Sequence, residues 1–159
     1  YIATGERKWG SPYLTRDFFH RLGAALAPRV ALVMAAKDGH WVAGALNLIG
    51  ADALYGRYWG CRGEFKHLHF ETSYYQASAV AIARGLERVE AGAQGEHKLQ
   101  RGYLPYPTWS AHWIRDAGFR KAVEQFLARE TALIERERAE LGAHSPFRRE
   151  ALSCPPAER

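Results

Sequence analysis

The sequence predicts an α/β domain in which a mixed antiparallel and parallel sheet carries helices on both faces. Three observations indicate this class: apolar residues at helical spacing, an Asp-Gly pair between two apolar runs, and a strand, helix and strand in succession. The 159 residues, 47% of them hydrophobic, suffice for one domain with a core. We expect a connecting segment at residues 1–12, a single domain at 13–143 and a loose tail at 144–159.

The first half of the chain predicts a helix followed by three antiparallel strands. Thr15 is a suitable N-cap, and apolar residues recur at helical spacing until Pro28 ends the segment. Asp38-Gly39 tolerates the positive φ angles of a tight turn and therefore predicts a hairpin. The three strands of this meander are predicted over Val30–Lys37, His40–Ile49 and Ala53–Cys61.

The second half predicts a crossover and then a long helix. A helix is expected to begin at Thr72 or Ser73, and a short strand at residues 86–91 should run parallel to the third strand, because a helix connects the two. Residues 103–114 are predicted to be extended, with prolines that confine them to a sheet edge or bulge. Asp116 is suited to cap the last helix.

Charge and cysteine content suggest partners and a compartment. A net charge of +5 and a pI near 9.4 favour phosphates, RNA or an anionic membrane surface, although many proteins carry such a charge without using it. Cys61 and Cys154 lie far apart and indicate no disulfide framework, so we expect a reducing cytoplasm. No apolar run is long enough to cross a bilayer.

The stretch EAGAQGEHKLQRGY, residues 90–103, is the strongest candidate site because it joins glycines to side chains that bind anions or transfer protons. Two side chains could accept the proton of an attacking amine: Glu96 and His97. The candidate substrate- or cofactor-binding residues here are Gly92, Gln94, Gly95 and Lys98. The alternative, a glycine-rich connection with solvated charges, stays open at this point.

A second polar stretch precedes the helix. His67, His69 and Glu71 alternate, so in an extended segment they would share one face, as metal ligands on a strand do. Because no clear further ligands accompany them, we predict no metal site and expect His69 and Glu71 in a pocket wall. Glu71 at a helix start would also complement the helix dipole without any function.

Aromatic residues follow the candidate site, namely Tyr103, Tyr106, Trp109 and Trp113. Such rings beside basic groups stack on bases or sugars, or pack in a partly buried strand, and both interpretations are open. Ser110 and His112 are not interpreted as a catalytic pair, because no G-x-S-x-G nucleophile elbow surrounds Ser110.

Three stretches resemble a known family: YGRYWGC from Tyr55, LHFETSYYQASAVAIARGL from Leu68, and EAGAQGEHKLQRGYLPYPTWSAHWI from Glu90. With the order of elements, they resemble the C-terminal, GNAT-like half of the FemAB-like proteins, called peptidoglycan biosynthesis or recognition proteins or GNAT-family N-acyltransferases. The resemblance spans residues 8–141. It implies the GNAT acyl-CoA N-acyltransferase fold and, as a partner, a preceding GNAT-like half.

The resemblance implies an acyltransferase that moves an acyl group from acyl-coenzyme A or aminoacyl-tRNA to an amine, such as that of a cell-wall precursor. No tightly bound cofactor is expected. Arg62 and Gly63 correspond to part of the GNAT phosphate-binding loop Q/R-x-x-G-x-G/A, but its second glycine is missing here, so acyl-coenzyme A stays an open donor. The resemblance also places Lys98 where Fem-type proteins have a lysine. The rival hypothesis is a noncatalytic module that recognises a cell-wall precursor or RNA.

Overall fold

The computed structural model describes residues 1–7, 10–92 and 96–147. The chain divides into two compact units, Tyr1–Gln94 and Gly95–Arg159. The first unit contains the sheet, and the second contains the longest helix. Residues 1–12, expected to be a connection, include a helix, α1 (Ile2–Arg7).

The sheet of the first unit has four strands in the order β1-β2-β3-β4. Their bounds are β1 Val30–Lys37, β2 His40–Ile49, β3 Ala53–Cys61 and β4 Arg88–Glu90. The first three strands pair antiparallel, and β3 pairs parallel with β4. The predicted mixed sheet is therefore confirmed. The predicted hairpin is also present, with φ angles of 51° at Asp38 and 77° at Gly39.

Helices pack on both faces of this sheet. One face carries α1 and α2 (Arg16–Leu26). Thr15 caps α2: its side-chain oxygen accepts a hydrogen bond from the Phe18 backbone N at 3.3 Å. The rings of Tyr1 and Phe19 contact Tyr58 of β3 on that face. The opposite face carries α3, a continuous helix over residues 68–83.

The core lies between α3 and the sheet. It is built from Ala31, Ile49, Leu54, Ala77 and Ala81, with Val80, Leu86 and Val89 packed against it. Leu54 and Ala77 have no exposed surface. Because three of the five central residues are alanines, α3 approaches the strands closely.

Helix α3 begins earlier than the sequence predicted. It starts at Leu68 rather than at Thr72 or Ser73, and it consists of Leu68–Phe70, a π-helical segment at Glu71–Tyr75 and Gln76–Ala83. His67, just before it, has a positive φ of 64°. The expectation that His67, His69 and Glu71 share one face of an extended segment is therefore wrong, because helical residues two apart do not face the same way.

The second unit contains a 3₁₀ helix, Glu96–Arg101, and α4 (Ala117–Ala143). As predicted, Asp116 caps α4: its Oδ1 accepts a hydrogen bond from the Phe119 backbone N at 2.7 Å. Residues 103–114 form no strand, so the predicted sheet edge or bulge is absent there; Pro105 and Pro107 lack the N–H donors that a strand needs. Within the described ranges, no helix is long and apolar enough to span a membrane.

Candidate functional site

A small cleft opens in the first unit where the two parallel strands part. Strand β4 pairs with β3 at only three positions, the last of them Tyr55↔Glu90, while β3 continues to Cys61. After Glu90 the chain turns away through Gly92, whose φ is +82°. We call the resulting space the cleft. Its volume is about 110 Å³, and its main walls are Asn47, Gly56, Trp59, His69, Ser73, Tyr74 and Ala91.

Two ion pairs lie at the start of β4, where this strand pairs with β3. Arg88 of β4 pairs with Asp52, in the turn before β3, and donates to the Glu90 carboxylate at 3.1 Å. Glu90 first, and then Asp52, raise the pKa of Arg88. The Arg88–Asp52 pair joins the start of β4 to the turn before β3, and the pairing of the two strands ends at Tyr55.

The floor of the cleft is polar although it is buried. Asn47 is 1% exposed, and its Nδ2 donates to the backbone oxygens of Ala31 at 3.3 Å and Ala45 at 3.5 Å. These two donations orient the amide, and Oδ1 accepts no hydrogen bond from the described residues. Because Oδ1 lies beside Gly56, 3.7 Å from the position of a Cβ there, Asn47 offers this oxygen to a ligand in the cleft or to water.

Gly56 keeps the cleft open. A Cβ atom at this position would lie 3.4 Å from the Glu90 backbone oxygen, 3.7 Å from Asn47 Oδ1 and 3.8 Å from the Ala91 Cα. These are ordinary contact distances, so alanine fits, but a larger side chain would fill the space between β3 and the chain after β4. The missing side chain therefore leaves strand backbone accessible beside Asn47.

The π-helical segment of α3 forms the opposite wall. Thr72 Oγ1 accepts a hydrogen bond from Trp59 Nε1 at 2.9 Å and donates to the Leu68 backbone oxygen at 2.9 Å. The His69 ring meets Trp59 edge-on at 4.8 Å between ring centroids and Tyr74 at 5.5 Å. These contacts fix the wall, and π-helical turns occur often at functional sites.

Ser73 provides an unsatisfied polar group in this wall of the cleft. Its Oγ is buried and has no hydrogen-bond partner among the described residues. A hydroxyl both donates and accepts, whereas Asn47 Oδ1 only accepts. The cleft therefore presents an unpaired hydroxyl in one wall and the amide oxygen of Asn47 in its floor, which suits a small polar ligand.

The predicted binding residues near α3 separate in the structure. His69 lines the cleft, but Glu71 lines a different cavity, and its carboxylate accepts a hydrogen bond from Gln76 Nε2 at 2.7 Å. Arg62 is exposed after β3, and its backbone N donates to the Val42 oxygen at 2.8 Å. The described residues contain no group of three or more His, Cys, Asp or Glu side chains that could bind a metal.

The predicted residues after β4 fall at the division between the units. Gly92 is described, whereas Gln94 and Gly95 lie outside the described residues. The 3₁₀ helix of the second unit begins at Glu96 and contains His97, which is exposed. It also contains Lys98, and burial lowers the pKa of that amine.

The aromatic stretch of the second unit is largely solvent-exposed. Tyr106, Trp109 and Trp113 are 77%, 86% and 81% exposed. Ser110 Oγ and His112 Nε2 lie 2.8 Å apart and are hydrogen-bonded, but both residues are exposed. The pair lacks the enclosed setting of a nucleophile and its base.

Asn47, Gly56 and Ser73 were missed by the sequence predictions. Asn47 gave a usable signal, because it is the one polar residue in the run VAGALNLI and it lies two residues from Ala45 and from Ile49, on the inward-facing side of the strand. Ser73 gave none, since a serine near a predicted helix start is usually interpreted as a cap.

The fold and the cleft together define an α/β protein with a mixed sheet, consistent with the GNAT-like fold. The chain belongs to the FemAB-like family, described as peptidoglycan biosynthesis/recognition, whose family model matches residues 1–149. The family resemblance seen in the sequence is therefore confirmed, and membership associates the chain with peptidoglycan. Among curated proteins and among solved structures, no significant match was found.

Proposed function

We propose that this chain is an acyltransferase domain that moves an acyl or aminoacyl group from an activated donor to an amine of a cell-wall precursor. The observation that supports it most is the cleft between the parting strands, with the unpaired Ser73 Oγ in its wall and the amide of Asn47 in its floor. Family membership supplies the link to peptidoglycan. The donor is acyl-coenzyme A or aminoacyl-tRNA.

The reaction is an amide-forming displacement. The amine nitrogen attacks the donor carbonyl carbon, a C–N bond forms, and the C–S bond of a thioester or the C–O bond of an ester breaks. The amine proton passes to a base and then to the leaving sulfur or oxygen. On the chemistry of their side chains, we propose Glu96 or His97 as this base, and Gln94 and Lys98 as carbonyl- or anion-binding groups.

The cleft suits the donor. Beyond Tyr55, β3 has no partner strand on its β4 side among the described residues, so an extended donor arm can pair with its backbone. Ser73 Oγ can donate to a carbonyl oxygen, and Asn47 Oδ1 can accept from an N–H group of the donor. Hydrogen-bond donors that are held in place by buried walls are effective, because they need no reorganisation during the reaction.

Transfer is tested with the full chain by mass spectrometry of a lysine-containing precursor peptide, with acetyl-coenzyme A or alanyl-tRNA as donor. Gly56→Val should lower transfer at least about tenfold, because it displaces the donor from the cleft. Gly23→Val is the matched control, since a Cβ at Gly23 meets nothing within 4 Å. Equal activity of both variants, with unchanged unfolding temperatures, would refute the cleft as the donor site.

Two milder variants keep the proposal testable if Gly56→Val fails to fold. Ser73→Ala removes only an unpaired oxygen and should raise the KM for the donor several-fold. Lys98→Ala should reduce transfer if this amine binds the donor anion. Full activity of Lys98→Ala would remove Lys98 from the mechanism. Full activity of Ser73→Ala would argue against the cleft as the donor site.

A second candidate function is a noncatalytic module that recognises a cell-wall precursor or RNA. The exposed rings of Tyr106, Trp109 and Trp113 favour it, because exposed aromatic residues can stack on bases or sugars. Titration of the chain with tRNA at rising salt tests the RNA case: a steep salt dependence supports contact with phosphates, and its absence argues against it. Binding without transfer would favour this function.

A further inference from the structure

A second cavity lies on the other flank of α3, between that helix and the end of the β1–β2 hairpin. Its volume is about 380 Å³. We call it the hairpin groove and define it by Lys37, Phe65, Lys66, His67, Glu71 and Tyr75. The hairpin groove and the cleft share no lining residue.

The charged side chains of the hairpin groove favour an anion. Neither Lys37 nor Lys66 forms an ion pair with any residue that the structure describes. Glu71 is the one carboxylate in the lining, and it accepts a hydrogen bond from Gln76. The lining therefore contains two lysines without an ion-pair partner among the described residues, and His67, against one carboxylate that is already hydrogen-bonded.

The rest of the groove is apolar or aromatic. Its floor includes Ala35, Ala36, Val42 and Leu68. The Lys37 Nζ lies 5.8 Å from the centroid of the Phe65 ring, which holds the ammonium group beside an apolar wall. Tyr75 lies in the groove and is 53% exposed, so its ring is accessible. A fully hydrated inorganic ion would leave these surfaces unused.

We propose that the hairpin groove binds a phosphate monoester whose other part is an aromatic ring or a hydrocarbon chain. The dianionic phosphate lies between Lys37 and Lys66, and the apolar part lies on Phe65, Tyr75 and the floor. Two lysines match a dianionic phosphate better than they match a ligand with a single carboxylate. The volume of the hairpin groove falls in the usual range of small-ligand pockets. Nucleotides and lipid phosphates share this chemistry.

Isothermal titration of the full chain with four probes tests the proposal. AMP and decyl phosphate, the latter below its micelle concentration, carry both parts, while inorganic phosphate and adenosine carry one each. We expect AMP or decyl phosphate to bind at least about tenfold more tightly than inorganic phosphate and adenosine, and the tighter of the two indicates the source. Equal binding of adenosine and AMP, or no binding of either monoester, would overturn the proposal.

Charge-removing variants locate the binding. Lys37→Gln and Lys66→Gln should each weaken the binding about fivefold and the double variant more than about tenfold, because each lysine loses a charge-assisted contact. Lys121→Gln, at an exposed lysine of α4, is the matched control. Both groove lysines are exposed, so folding should persist, as thermal unfolding will verify. A double variant that binds as tightly as the control would exclude the groove.

This test is independent of acyl transfer. Binding is measured directly, and neither Lys37 nor Lys66 lines the cleft. Loss of monoester binding with transfer intact would support the groove alone, whereas loss of transfer in Gly56→Val with monoester binding intact would support the cleft alone.

Discussion

Replacing Leu54 with alanine should strongly destabilise the first unit. Leu54 has no exposed surface and packs in the core with Ala31, Ile49, Ala77 and Ala81. It is also paired with Val89 in the short parallel contact between β3 and β4. The side chain therefore joins the two parallel strands and α3 directly below the point where the cleft opens.

The size of the effect follows from this packing. Leu54→Ala removes three carbon atoms, which costs about 2.4 kcal/mol in lost burial at about 0.8 kcal/mol per carbon, and the remaining cavity adds to this loss. Three of the neighbours are alanines, whose side chains cannot move in to fill the space. We therefore expect a loss of about 3–4 kcal/mol, within the range of about 2.7–5 kcal/mol found for such substitutions.

Urea unfolding followed by circular dichroism measures the loss in the free energy of unfolding, and a thermal melt measures the fall in Tm. For a unit of this size, the expected loss corresponds to a fall of about 15–25 °C in Tm. Leu32→Ala is the matched control, because Leu32 lies on β1 and is 58% exposed; its replacement should cost less than about 1 kcal/mol. If the two variants differed by less than about 1 kcal/mol, the core between α3 and the sheet would not have the packing described.

Two further predictions concern the second unit. Burial lowers the pKa of Lys98 in the folded chain below the ordinary value of 10.5. Between these two pKa values the unfolded chain binds more protons than the folded chain. The contribution of Lys98 to stability therefore rises as the pH rises through that window. Amine labelling read by peptide mass spectrometry should give Lys98 a modification midpoint below pH 10.5, and a midpoint at or above that value would contradict the burial. Asp116→Ala should lower the stability of α4 by about 1 kcal/mol in thermal melts followed at the helical signal, because the Phe119 N–H loses its acceptor. Asp116→Asn should retain most of the stability, and an equal loss in both variants would argue against capping.

The candidate site was predictable only in part. His69 was expected in a pocket wall and lines the cleft, but Glu71, expected beside it, lines the hairpin groove. An extended segment would have put both on one face, whereas in α3 they lie two residues apart on a helix. At the start of α3, the His69 ring contacts Trp59 of β3, a tertiary contact that no local sequence pattern specifies. The roles of Glu96, His97 and Lys98 stay predictions.

The sequence by itself determined the elements whose signals are local. Asp38-Gly39 specifies the hairpin because both residues accept positive φ angles, and Thr15 and Asp116 specify helix starts because their side chains bond to backbone N–H groups three residues later. Only the tertiary structure decided where β4 stops pairing with β3, and hence that Asn47 and Ser73 meet in one cleft. The physical reason is that this pairing joins residues more than thirty positions apart, and no local backbone preference sets its length.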